Sequence, residues 1–336
     1  MSHPARSALV LQGGGALGAY ELGAARALYE NDQFAPDLIA GVSIGAITAA
    51  LLARPARGLK PLRALEAFWE RVAMSGSFLP ASVQATVFGN PRFFVPRHDY
   101  FSFPSWTYLY DTSPLRQTLS GLVDLAALAD RNALPGLLVS ATDVEEGQIK
   151  YFYSREESLS LDHIVASGSL PPSFPMTSVD GKSYWDGGVF DNTPLGAVLD
   201  RLDQTVGADR TVYVVNLFPN KAPIPGSLIE VAQRVQSLQF ANKTAEDLKL
   251  LHRFDQVAAL MDALEAVPGG NPLRDNDAYK QVKQQNYIVV PRIVSITRPN
   301  HVGTGDGTDF SQETIKKRAE EGYNQTKKAL LDDGKT

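Results

Sequence analysis

The chain has 336 residues, 44% of them apolar, enough for one large α/β core or two small domains. A net charge of -5 leaves no excess of basic residues for the stripe a nucleic-acid-binding protein carries. There is no cysteine, which excludes disulfides, cysteine-zinc sites and thiol nucleophiles.

The first apolar run is short and interrupted by glycines, so a signal peptide is not expected. The longest apolar stretch, from Leu38 to Ala53, contains Gly41, Ser43 and Gly45 and is too short to span a bilayer. The expectation is a cytoplasmic protein able to lie against a membrane surface.

Ala8 to Leu11 reads as a buried strand running through Gln12 into a tight glycine loop. Gly18 to Tyr29 has helical spacing through Leu22, Ala25 and Leu28. Leu38 to Val42 predicts a second strand with Ser43 at its end. Ile44 to Leu52, small and apolar throughout, predicts a helix buried against a sheet. Leu62 to Val72 predicts another helix. The segment 74–111 lacks clear periodicity and collects Phe93, Phe94, Tyr100, Phe101, Phe103, Trp106, Tyr108 and Tyr110. So long an irregular stretch is usually functional, and it reads either as an aromatic-rich cap or lid or as core beneath a long loop. Thr112-Ser113-Pro114 marks a helix start. Leu137 to Val144 and Ile149 to Tyr153 predict a hairpin around Glu146-Gly147. Val212 to Leu217 predicts a buried strand, and Ser227 to Val267 a long helix. Ile288 to Ile296 predicts a late strand and Gln312 to Leu331 a final amphipathic helix. Alternating strands and helices predict an α/β fold with a mainly parallel sheet. The expected organisation is one domain over 1–336, with 218–336 as a helical extension carrying one late strand.

Three local patterns carry chemistry. Gly41-Val42-Ser43-Ile44-Gly45 is G-x-S-x-G at a strand-to-helix junction, where a nucleophile occupies a strained turn and flanking glycines remove clashing side chains. The helix that follows points its free amides back toward the serine and favours negative charge there. Gly13-Gly14-Gly15-Ala16-Leu17-Gly18 offers consecutive amides suited to a developing oxyanion. The same glycines also fit G-x-G-x-x-G, a dinucleotide loop, which wants an acidic residue at the end of the second strand. Here Asp37 lies at its start and Ser43 at its end. Asp186-Gly187-Gly188, taken alone, reads as a turn.

Taken in order, QGGGALG, GVSIGA, VASGSLPPSFP and YWDGGVFDNTPL resemble the four blocks of the patatin-like phospholipases, over roughly Ala8 to Leu217. The resemblance implies a three-layer α/β/α sandwich and a Ser-Asp dyad that cleaves lipid carboxyl esters through an acyl-enzyme. It implies Ser43 as nucleophile, Asp186 as base and Gly13, Gly14 and Gly15 as the oxyanion hole, with the Val165 to Pro175 block beside the dyad. Leu17 stands where family members usually carry Arg or Lys, and Gln12 where plant members carry aspartate; ester hydrolysis requires neither. The chemistry needs no metal or cofactor. The implied partner is a lipid or acyl-ester substrate, with peripheral membrane contact and no nucleic acid. His163 falls in a helical pattern and His98 in the aromatic segment. His252 and His301 follow Asp186 as the histidine of a Ser-Asp-His esterase would, and that triad stands as the alternative, with the nucleotide-binding loop behind it.

Overall fold

The structure, a computed structural model, describes residues 5–75, 79–203, 209–268, 270–284, 292–303 and 305–333. Among the described residues the strands occur in the order β1 (Ser7–Leu11), β2 (Leu38–Gly41), β3 (Val95–Pro96), β4 (Tyr110–Asp111), β5 (Gly136–Asp143), β6 (Gln148–Tyr153), β7 (Thr177–Val179), β8 (Lys182–Asp186), β9 (Thr211–Asn216) and β10 (Arg292–Thr297). The helices are α1 (Ala19–Tyr29), α2 (Ile44–Ala53), α3 (Pro61–Val72), α4 (Ala81–Phe88), α5 (Ser113–Ser120), α6 (Leu125–Ala129), α7 (Leu161–Ser167), α8 (Leu195–Leu199), α9 (Leu228–Glu265), α10 (Asp277–Gln284) and α11 (Gln312–Asp333).

Alternation along the strands sorts the core into two layers, because successive side chains of a strand face opposite sides of its sheet. Leu9, Leu11, Ile39, Leu137 and Val215 face one side and pack with residues of α1, α2, α3 and α11. Ala8, Val10, Leu38, Leu138 and Val214 face the other, where Leu195, Val198 and Leu199 of α8 cover them. The result is a sheet between two helical layers. Strands β10, β9, β1, β2 and β5 run parallel in that order. Parallel strands need crossover helices, and these cover the sheet.

The edge of the sheet beyond β2 departs from the parallel pattern, and the departure builds the site. β5 pairs with β2 from Gly136 to Val139, and antiparallel with β8 from Ala141 to Asp143. β6 pairs with β5 along Leu138 to Asp143, opposite parts of both. Since a strand has two edges, β2 and β8 share one of them.

Several expectations hold with small shifts. The hairpin of β5 and β6 forms, and the late strand begins at Arg292, its earlier expected residues lying outside those described. The long helix starts after Ser227, whose hydroxyl accepts from the Glu230 amide at 3.2 Å as an N-cap should. The segment 74–111 is less irregular than its sequence suggests: it contains α4 and a two-stranded β3–β4 pairing. Only Ala85 of α4 is buried, so the helix leaves no apolar stripe to read. The hairpin of β7 and β8 is also absent from the sequence expectation.

Candidate active site

Ser43 caps the N-terminus of α2 with φ 56° and ψ -123°, a strained turn for a residue with a side chain. Its neighbours make that turn possible. A Cβ on Gly41 would lie 2.1 Å from the Gly45 carbonyl oxygen, and one on Gly45 would lie 2.4 Å from that of Leu11. The Ser43 amide donates to the Ser167 carbonyl at 3.1 Å and to the Ser167 hydroxyl at 3.0 Å. The C-terminal end of α7 therefore fixes the backbone of the turn and leaves the Ser43 side chain to the cavity.

Asp186 is the last residue of β8 and is 2% exposed. Its Oδ1 accepts from the Gly188 amide at 2.7 Å. Burial raises its pKa from 3.8 to about 7, while the nearby Ser43 side chain and the Gly188 amide pull it back. A carboxylate removed from water holds its proton more tightly and becomes a stronger base.

The glycine loop lies against Ser43 and shares a cavity with Asp186. A Cβ on Gly13 would stand 2.9 Å from that of Ser43. The Gly13 amide donates to the Asn192 carbonyl at 3.4 Å, and the Asn192 side chain donates to the Gly13 carbonyl at 3.1 Å. Among the described residues, nothing accepts from the amides of Gly14 or Gly15. Leu17 is buried in the core. Gln12, also buried, joins four segments: its amide nitrogen donates to Thr193 Oγ1 at 2.9 Å and to the Phe240 carbonyl at 3.1 Å, and its oxygen accepts from Leu217 N at 2.6 Å and Phe218 N at 3.1 Å. Each polar atom of that buried side chain is satisfied, as burial demands.

Two cavities meet at Ser43. One, of about 310 Å³, carries Gly13, Gly14, Asp186, Asn192, Gln236 and Ser237 on its walls. The other, of about 280 Å³, is closed by Ile47, Phe93, Phe94, Tyr110, Phe174 and Phe310. The aromatic segment contributes to it directly. Phe93 and Phe94 are buried, with ring centroids 6.3 and 5.4 Å from that of Phe174. They form a pocket wall instead of an exposed surface.

None of the described histidine side chains lines either cavity at Ser43. His163 is buried in the first turn of α7, where its Nδ1 accepts from the Ser160 amide at 3.0 Å and its ring meets Phe152 edge-on. His301 lines an adjoining cavity with Pro219 and Arg234, and His98 is exposed. The His252 side chain lies outside the described residues.

Sequence reasoning missed Asn192, Ser167 and the α9 face that supplies Gln236 and Ser237. Asn192 lies in the Asp186 block, where a polar residue just after a tight turn was the available signal. Nothing local marks Ser167 as the acceptor for the Ser43 amide.

The family model of the patatin-like phospholipases matches residues 9–199, more than half of the chain. The chain belongs to the patatin-like phospholipase family, whose members hydrolyse lipid esters. No curated protein matches it. Among solved structures it is similar to VipD from Legionella pneumophila, at 16% identity and a TM-score of 0.41, covering 98% of this chain and 68% of that one. It is also similar to the heterodimeric ExoU–SpcU complex of the Pseudomonas aeruginosa type III secretion system, at 17% identity and a TM-score of 0.42. All of this chain is covered there, and it spans 53% of that chain's length. Among the described residues no helix is long and apolar enough to cross a membrane.

Proposed function

We propose that this protein is a serine acyl hydrolase that cleaves lipid carboxyl esters, with Ser43 as nucleophile and Asp186 as its base. The observation that carries this reading is the buried Asp186 carboxyl group, its pKa raised to about 7, lining the same cavity as Ser43 at the strained turn. Asp186 accepts the Ser43 proton as the oxygen attacks the acyl carbonyl. The amides of Gly14 and Gly15 are the free donors of the loop 13–15 and receive the oxyanion. The bond to the alcohol breaks as Asp186 returns the proton to the leaving oxygen. Water, deprotonated by Asp186, then releases the acid from the acyl-enzyme and restores the serine.

The acyl chain occupies the aromatic cavity, whose walls are apolar, and the alcohol side of the ester occupies the cavity walled by Asn192, Gln236 and Ser237. Ile224 is exposed on the wall of an adjoining cavity that shares Gln233 and Ser237 with this polar mouth, and Leu228 and Ile229 at the start of α9 are exposed as well. They supply the apolar rim for peripheral contact with a lipid surface. The reading takes the whole chain as one hydrolase domain in which the extension from 218 onward closes the mouth.

A fluorophosphonate tests the reading. Peptide mapping should find it on Ser43 alone, and Ser43→Ala should lose both labelling and ester hydrolysis while its circular dichroism stays that of the parent. Labelling at a different serine would refute the assignment.

A further inference from the structure

The glycine loop is braced by a part of the chain far outside residues 9–199. Helix α11 crosses α1 at backbone contact. A Cβ on Gly23 would lie 1.7 Å from the Ala319 carbonyl oxygen, and one on Gly322 would lie 2.0 Å from that of Tyr20. Any larger residue at either position would push the two helices apart. Since α1 follows the glycine loop directly, the crossing sets Arg318 against that loop.

Arg318 is 3% exposed. Its Nη1 donates to the Ala16 carbonyl at 3.0 Å and to the Asp309 carbonyl at 3.2 Å, and its Nη2 donates to Asp306 Oδ1 at 3.2 Å. The other oxygen of Asp306 accepts from the Gly303 amide at 2.8 Å and meets Arg298 Nη2 at 3.5 Å. The turn held in this way reaches back to the site. The Gly307 carbonyl oxygen lies 2.5 Å from where a Cβ on Gly15 would stand, and Gly307 and Thr308 line both cavities at Ser43. One guanidinium thus fixes the carbonyl that follows the free amides of Gly14 and Gly15, together with the turn packed over them. Peptide planarity leaves two soft torsions per residue, so tethering Ala16 restricts where those amides point. Packing alone does not call for this arrangement: burying a cation is costly, and an apolar side chain would fill a helix crossing more cheaply.

We propose that Arg318 is a positioning residue for ester hydrolysis, holding the Ala16 carbonyl and the 305–309 turn so that the Gly14 and Gly15 amides stay aimed at the oxyanion. This rests on the assignment of Ser43 as nucleophile. An effect on the oxyanion appears in the transition state and not in the bound ester, so it falls on kcat and leaves KM.

The test is Arg318→Met beside Arg318→Lys, assayed on one soluble ester well below each variant's melting temperature. Loss of one oxyanion donor typically costs roughly 10²–10³ in rate. Arg318→Met should lose kcat by about that factor with KM within about threefold of the parent. Its fluorophosphonate labelling should slow in parallel, because the phosphoryl oxygen takes the place of the oxyanion. Arg318→Lys, which keeps one charged donor, should recover part of both rates. Should Arg318→Met fail to fold, Asp306→Asn releases the guanidinium from its ion pair and should show a smaller fall of the same kind. Folded variants with kcat within about twofold of the parent, or with a raised KM and unchanged kcat, would overturn the proposal. Failure of the unmodified enzyme to be labelled at Ser43 would instead count against the underlying assignment.

Discussion

Ser43 and Asp186 are brought together by two strands that run head to head along one edge of β5. The last residue of β2, Gly41, stands beside Val139, and Asp186 stands beside Ala141. The parallel strand and the antiparallel strand therefore stop two positions apart on their shared partner. The chain after Gly41 turns into α2 through Ser43, and the chain after Asp186 turns through Gly187 and Gly188. Both side chains are delivered to one point by the ends of rigid strands, a more accurate support than two mobile loops.

The burial of Asp186 predicts the pH dependence of activity and stability together. If Asp186 is the base, kcat/KM should rise with pH through an apparent pKa near 7. His301→Ala should leave that limb in place. For stability the sign follows from proton uptake. Between its ordinary value of 3.8 and about 7, Asp186 keeps its proton in the folded protein and has lost it in the unfolded chain. The native state is then favoured at low pH, loses stability as pH rises across that window, and levels off above it. Asp186→Asn should be nearly inactive. It should match the parent's stability near pH 4 and exceed it at pH 8, by roughly 2–4 kcal/mol. Denaturant melts of both proteins at several pH values measure this. Parallel curves would contradict a buried, proton-retaining Asp186.

Gly15 has φ 57° and faces the Gly307 carbonyl. Gly15→Ala therefore meets two obstacles, a left-handed backbone costing about 1–2 kcal/mol and a clash with backbone atoms. The loop should shift, and kcat should fall by roughly 10²-fold or more. Gly147 provides the control, since it has φ 63° and open space around its Cβ position in the β5–β6 turn. Gly147→Ala should lower the melting temperature and leave kcat unchanged. If Gly15→Ala behaves like Gly147→Ala, the glycine loop is only the entrance to a helix.

Ile47, one turn into α2 beyond Ser43, lines the aromatic cavity and is buried. Ile47→Trp should fill part of that space. On esters of graded acyl length, kcat/KM should drop at least about tenfold for long chains and stay near the parent value for the shortest. Phe94→Ala should enlarge the same cavity and, as a buried aromatic lost from a packed cluster, cost roughly 3–5 kcal/mol of stability. A uniform loss across all chain lengths in Ile47→Trp would place the acyl chain elsewhere.

The sequence alone determined what local stereochemistry controls. Glycines at 41 and 45 around Ser43 mark a turn whose close backbone approaches admit no side chain, and that constraint is written within five residues. The short apolar runs from Ala8 to Leu11 and from Leu38 to Val42 showed the central strands, because both faces of a covered sheet must be apolar. The order of the four blocks pointed to Asp186 as the partner of Ser43. Only the tertiary structure decided how the two meet, since β8 reaches that edge of β5 antiparallel from a distant part of the chain. It also decided that Phe93 and Phe94 are pocket wall: aromatic composition is the same for a lid and a core, and only packing against Phe174 and Phe310 separates them. Arg318 shows the limit most sharply. Its contact with Ala16 spans 302 positions, and it exists because Gly23 and Gly322 let two helices touch, a relation no local pattern around Arg318 contains.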